Sequence, residues 1–179
     1  MLSNVEACVI FYLRTIGPMT GYDLTRHLTQ YPVHCIEGGA STVYAAVNRL
    51  ARQGYLVGDV IPQKRRPTKT VWSVSPRGRV AFLRWLARPL SVTEYRHHRP
   101  VFEVKCTGVM LLRKAGRRAF LEGQIRLLES YRRSFSEFAR GTGLGVGRLA
   151  WETSLSQIDR DIDLLYALRG LALSDVERR

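Results

Sequence analysis

The sequence predicts a mainly α-helical chain with a small β-hairpin: an N-terminal winged helix-turn-helix unit followed by a C-terminal helical dimerisation domain. Three observations predict it. Residues 41–53 form an amphipathic basic segment, residues 62–69 form a cationic tip with a proline near each end, and residues 151–168 carry a heptad-like apolar seam. The expected divisions are 1–88 for the winged helix unit, 89–100 for a linker and 101–179 for the helical domain.

Ser3 opens the first helix, which extends to about Ile16. Ser3-x-x-Glu6 is a capping-box pattern. Val5, Val9, Tyr12, Leu13 and Ile16 keep helical spacing, and Gly17-Pro18 stops it. Thr20 can cap a second helix, with Asp23 near the positive end of its dipole and Leu24 and Leu28 turned inward. In the third helix Val43, Val47 and Leu50 fall at i, i+4 and i+7, an apolar stripe. Thr42, Tyr44, Ala45, Asn48, Arg49 and Arg52 spread over its other faces. Ser41 or Thr42 can cap its start, and Gly54 supplies the permissive backbone that ends it. Two β-rich runs follow, 55–61 and 70–74, joined by the basic tip, which makes a hairpin. Ser75-Pro76 then begins another helix, with proline where the first-turn donor is not needed.

Residues 89–100 break the helical pattern and are read as the linker. A helix is expected over 101–114, then a long one over about 115–139, with Leu121, Ile125, Leu128, Phe135 and Phe138 along one edge. Gly141 to Gly147 reads as a flexible turn. It has Gly-x-Gly repeats, but it follows a helix and lacks the preceding parallel strand that a dinucleotide loop requires. In the last helix, about 148–171, Trp151, Leu155, Ile158, Ile162 and Leu165 alternate by four and three, the pattern of a coiled-coil seam. A thin hairpin buries little of such a seam, so a second copy of the chain is the simplest expected cover.

These pieces carry a family resemblance over residues 8–78. Gly17-Pro18-Met19-Thr20-Gly21-Tyr22-Asp23-Leu24 resembles the Gly-Pro-x-x-Gly-Tyr-Asp-Leu of the PadR-like transcriptional regulators. Residues 41–50 resemble that family's recognition helix, Gly54-Tyr55-Leu56 the start of its wing, and Trp72-Ser73-Val74-Ser75-Pro76-Arg77-Gly78 its Tyr-x-Leu-Thr-Pro-x-Gly. Ala45 stands where the family often has Pro, Val47 where it often has Leu, and Trp72 replaces a Tyr. Phe102-Glu103-Val104-Lys105 and Gln124-Ile125 are similar to pieces of its long-tailed branch. The resemblance implies a homodimeric repressor. Two recognition helices related by a two-fold axis would then read an inverted repeat.

Charge agrees with a nucleic-acid partner. The chain carries a formal +13, and residues 49–88 hold ten Lys/Arg against the single acid Asp59. Residues 89–179 are mixed, with sixteen basic and eleven acidic side chains. Basic charge gathered on one module is the footprint of a polyanion partner. The three cysteines are scattered and odd in number, so no disulfide framework is indicated. No apolar run approaches the roughly 20 residues of a membrane span. Glu6 interrupts the first apolar stretch, so no secretory leader is expected and a cytoplasmic setting follows. His97-His98, His34-Cys35 and Cys106 lack metal-finger spacing, so no metal or cofactor is expected. No enzyme is expected either: Asp159, Asp161 and Asp163 alternate along a helix and do not share a face.

The expected function is a sequence-specific DNA-binding transcriptional regulator, a dimeric repressor released by a small ligand or signal. The alternative is a non-specific architectural nucleic-acid binder. Candidate DNA-contacting residues are Tyr22, Ser41, Thr42, Tyr44, Ala45, Asn48, Arg49, Lys64, Arg65, Arg66 and Lys69. Asn48 and Arg49 suit base edges, with a phosphate clamp as the alternative for Arg49. The wing cations suit phosphates, which position a protein without specifying sequence. Tyr44 has the alternative of a ring packed on the second helix with its hydroxyl outward, and Tyr22 that of a core residue. Trp151, Leu155, Ile158, Ile162 and Leu165 are the expected dimer interface.

Overall fold

A computed structural model describes residues 1–29, 39–62, 68–142 and 146–174. Its elements, in order, are α1 (Asn4–Thr15), β1 (Met19–Thr20), α2 (Gly21–Thr29), α3 (Ala40–Arg52), β2 (Leu56–Ile61), β3 (Lys69–Val74), α4 (Pro76–Ala87), α5 (Val92–His97), α6 (Arg99–Gly108), a 3₁₀ turn (Val109–Leu111), α7 (Lys114–Thr142) and α8 (Val146–Ser174). They fall into two compact units: residues 1–86 with 98–108, and residues 87–97 with those from 109 on. Among the described residues no helix is long and apolar enough to cross a membrane.

In the first unit the predicted capping box is present at both ends. The Ser3 hydroxyl accepts from the Glu6 N–H at 3.2 Å, and the Ser3 N–H donates to Glu6 Oε2 at 2.8 Å. This satisfies donors that the first turn of α1 would otherwise leave open. α1 then buries Ala7, Cys8, Val9, Ile10, Phe11 and Leu13 and packs against α2, α3, β3 and α6. Thr20 caps α2 as expected: its hydroxyl accepts from the Asp23 N–H at 3.2 Å and donates to Asp23 Oδ2 at 2.7 Å.

The hairpin β2–β3 is antiparallel, with Leu56 opposite Val74 and Ile61 opposite Lys69. A third strand not expected from sequence, β1, pairs Met19 with Trp72 and Thr20 with Val71, giving the order β1-β3-β2. It fastens the connection between α1 and α2 to the base of the wing. Gly58 lies opposite Trp72, where an added Cβ would come within 2.8 Å of both the Trp72 ring and Thr70 Cγ2.

The expected helix over 101–114 begins and ends earlier, as α6, and packs on α1 within the first unit rather than in the C-terminal one. Lys105 explains part of this. It is fully buried, its Nζ donates to the Trp85 carbonyl, and the ammonium lies 3.9 Å from the Trp85 ring centroid. A cation at the carbonyl end of α4 is favoured by the helix dipole and by the open acceptors there. The 89–100 stretch, expected as a linker, contains α5, whose own capping box joins Ser91 and Glu94.

In the second unit α7 and α8 pack along their length and α5 lies on α7. Leu121, Ile125 and Leu128 of α7 are buried, as are Ile158, Ile162 and Leu165 of α8. Tyr95 of α5 donates from its hydroxyl to the buried Asp161 carboxylate at 2.6 Å. Both long helices extend further than expected: Gly141 and Thr142 belong to α7, Val146 and Gly147 to α8. The rest of the expected turn, 143–145, lies outside the described residues.

Candidate nucleic-acid interface

The site is built on α3. Its buried side is Val43, Ala46, Val47 and Leu50, and α1 and α2 pack against the helix. That side includes the whole apolar stripe expected from sequence. At about 100° per residue, the opposite side gathers Ser41, Tyr44, Ala45, Asn48 and Arg52, and all five are exposed. Thr42 and Arg49 are half-buried and lie at the edge of this face.

The cap of α3 differs from expectation. Gly39, in extended conformation, is the N-cap, with no side-chain hydrogen bond, and the helix begins at Ala40. Ser41 and Thr42 therefore sit inside the first turn, where a hydroxyl no longer reaches forward to the open N–H groups. At the other end Gly54 has φ +71, the left-handed conformation expected of it.

Tyr44 packs on the second helix while part of it stays exposed. Its ring lies on the Gly21 backbone, so an added Cβ at Gly21 would fall 2.7 Å from Tyr44 Cε1, yet the residue is 45% exposed. Tyr22, in the first turn of α2, is 69% exposed and is not a core residue. Lys69 is exposed at the start of β3. Lys64, Arg65 and Arg66 lie outside the described residues. Arg77 on α4 stands over the Tyr55 ring, 5.3 Å from its centroid, and Arg79 and Arg84 are exposed on the same helix.

Arg49 has an internal partner. Its Nε donates to Glu6 Oε1 at 3.0 Å, with 43% of the Arg49 side chain exposed and 7% of the Glu6 side chain. Burial alone would raise the Glu6 pKa, but hydrogen bonds from the Ser3 N–H, Arg49 and the Ser3 hydroxyl, with the Arg49 charge, outweigh it and hold the carboxyl below its ordinary 4.5. A folded-state pKa below the unfolded one adds stability above the unfolded value, and that stability is lost as pH falls through the folded value. We expect Glu6→Gln to be less stable than the parent by about 1–3 kcal/mol at pH 7. Urea midpoints of the two proteins should converge as pH drops below about 4; a gap unchanged at pH 3 would exclude an ionised Glu6 as the cause.

Arg52, which is not among the expected contacts, shares the exposed face of α3, four residues beyond Asn48 and seven beyond Ala45. The Glu6–Arg49 pair spans 43 residues of sequence and had no local signal.

Three of the five residues expected at the dimer interface are already covered within the chain. Ile158, Ile162 and Leu165 are 3%, 8% and 0% exposed in the single chain, covered within the α5–α7–α8 unit. Trp151 is half-buried and makes edge contacts with Phe135 and Phe138, each at 5.6 Å between centroids, and Leu155 is also half-buried. The seam therefore does not need a second chain to cover it. The outward side of α8 leaves Leu149, Leu164 and Leu171 exposed at 64%, 41% and 60%. A cavity of about 320 Å³ between α7 and α8 is lined by Ser136, Ala139, Arg140, Arg148, Trp151, Glu152 and Leu155. Among the described residues no three potential metal ligands cluster.

Residues 9–84 match the family profile of the transcriptional regulator PadR-like family. Solved structures that match the chain include Bacillus subtilis PadR in complex with operator DNA (14% identity, 96% of this chain and 99% of that one covered, TM-score 0.46). They also include a PadR-like transcriptional regulator from Bacillus cereus (15%, 94% and 99%, TM-score 0.38) and the Vibrio cholerae virulence activator AphA (17%, 93% and 99%, TM-score 0.39). No curated protein matches this chain.

Proposed function

Given that its winged-helix region, residues 9–84, is PadR-like, we propose that this protein is a sequence-specific DNA-binding transcriptional regulator that represses as a homodimer on an inverted repeat. The observation that carries the reading is the exposed face of α3, with Asn48 and Arg52 on one line, in a module holding ten basic side chains against one acid between residues 49 and 88. Asparagine and arginine match adenine and guanine edges in the major groove, where a recognition helix lies. Tyr22, Ser41, Thr42 and Lys69 flank this face as phosphate contacts, joined by the wing cations Lys64, Arg65 and Arg66.

An inverted repeat needs two copies. With Ile158, Ile162 and Leu165 occupied inside the chain, the outward stripe of Leu149, Leu164, Ala167 and Leu171 on α8 is the apolar surface available for a partner copy. Trp151 and Leu155 border the cavity near the end of the hairpin, and a small ligand seated there is the candidate releasing signal. Release requires that the ligand bind the two dimer geometries with different affinity.

Selection of bound duplexes from a random pool, followed by binding titrations at fixed salt, tests the reading. A preferred sequence with two-fold symmetry, bound at least about 10³-fold more tightly than bulk DNA, is the expected result. Uniform affinity for all duplexes would make the protein an architectural binder instead. Replacing Lys64, Arg65 and Arg66 together with Ala should weaken binding to every duplex alike. It should also flatten the slope of log K against log salt by up to about 0.9 per lost phosphate contact. An unchanged slope would remove the wing from the contact surface.

A further inference from the structure

Two arginines of α3, three positions apart, stand in different surroundings. Arg49 is held at the helix edge by Glu6, whose other oxygen is already taken by the Ser3 N–H at 2.8 Å. That carboxylate is fixed in the first turn of α1 and nearly covered, so it neutralises the guanidinium and sets its direction. Only the two Nη groups of Arg49 remain to face outward. Arg52 is exposed, continues the line Ser41–Ala45–Asn48 by one more turn, and makes no hydrogen bond or ion pair among the described residues.

A base-reading arginine needs two coplanar donors on the helix face that enters the groove; Arg49 keeps its Nη pair but stands at the edge of that face, whereas Arg52 stands on it with its whole guanidinium open. A phosphate contact needs only a donor directed at the groove edge. We infer that Arg52, rather than Arg49, is the arginine of α3 that sets base preference, and that Glu6 is a positioning residue that keeps Arg49 at the groove edge for a phosphate. This rests on the DNA-binding reading above and assigns its specificity to one side chain.

The experiment uses the full-length protein and two duplexes, the preferred sequence from the selection and a scrambled one, titrated at one salt concentration. Arg52→Lys keeps the charge and loses the fork. It should lower the ratio of preferred to scrambled affinity by about tenfold or more, with scrambled-duplex affinity and salt slope near wild type. Arg49→Lys and Glu6→Gln should shift both duplexes together and leave the ratio within about twofold, because phosphate contacts are blind to sequence. A wild-type ratio retained by Arg52→Lys overturns the assignment, and a ratio lost in Arg49→Lys but kept in Arg52→Lys reverses it. A parent protein with no preference at all would defeat the regulator reading first, and this inference with it.

Discussion

Leu165→Asp is expected to unfold the α7–α8 unit rather than release a folded monomer. Leu165 is fully buried within the single chain, in the same seam as Ile158 and Ile162. Truncating a core leucine already costs about 2–5 kcal/mol through lost transfer and the cavity left behind. The aspartate adds the cost of taking a carboxylate out of water into a buried seam. Together these approach the whole stability of an ordinary domain, about 5–15 kcal/mol. The measurement is far-UV circular dichroism with urea unfolding, paired with sedimentation velocity. Loss of helical signal at 25 °C, or a midpoint displaced far toward zero urea, is the expected outcome. A fully helical Leu165→Asp protein sedimenting as a monomer would show that the seam faces another copy. Leu164→Glu and Leu171→Glu are the complementary pair: both residues are exposed, so each should leave helicity intact and test the outward stripe as a contact between copies.

The seam illustrates what periodicity reveals and what it omits. The four-and-three spacing of Ile158, Ile162 and Leu165 identified a buried face correctly. Spacing is a property of one helix, however, and the cover came from α7 and α5 of the same chain. The 29 residues of α7 are long enough to run beside α8 and supply that surface. The outward stripe is diluted by Thr153, Ser156 and Arg160 and gave no comparable signal.

Local chemistry was legible where it is written in adjacent residues. The Ser3–Glu6 box, the Thr20 cap, the stripe of Val43, Val47 and Leu50, the left-handed Gly54 and the Ser75-Pro76 start all appear where spacing placed them. Features joining distant segments were not legible. β1 is two residues long and exists through its pairing with β3, more than fifty positions later. α6 joins the first unit through its packing on α1, a partner almost a hundred residues away. α5 lies between these cases: Ser91-Val92-Thr93-Glu94 is a capping box in plain sequence, but two nearby prolines made the segment read as a linker. There the Arg88 guanidinium, helped by the Ser91 N–H and hydroxyl, holds the Glu94 carboxyl down at about 2.

Gly78→Ala carries the other large expected effect, and its cause is space rather than backbone conformation. A Cβ at Gly78 would lie 2.1 Å from the Tyr55 carbonyl oxygen, 2.9 Å from its carbon and 3.1 Å from its Cα. All three are backbone atoms, so no side chain can swing aside. The carbonyl is also fixed in place, because it accepts from the Ser75 N–H at 3.0 Å. Ser75 in turn donates through its hydroxyl to the Gly54 carbonyl at 2.7 Å and accepts from the Gly78 N–H at 3.0 Å. One methyl group thus forces α4 away from the turn that links the end of α3 to the wing. It strains three hydrogen bonds at once, each worth about 0.5–1.5 kcal/mol. Overpacking adds about 1–3 kcal/mol, against a gain of about 0.5–1 kcal/mol from replacing glycine in a helix. The net expectation is a loss of about 2–7 kcal/mol, read as a lowered urea midpoint at unchanged slope. Gly116→Ala is the control: its nearest neighbour would be Leu112 Cβ at 3.9 Å, so the propensity gain should stand alone and the protein should be as stable as the parent or slightly more so. Equal stability of the two variants would mean that the Gly78 contact yields without cost. Because Tyr55 lies between α3 and β2 and its carbonyl is bonded to the residue just before α4, a folded fraction of Gly78→Ala should also bind the preferred duplex less tightly, through displacement of the wing relative to α3.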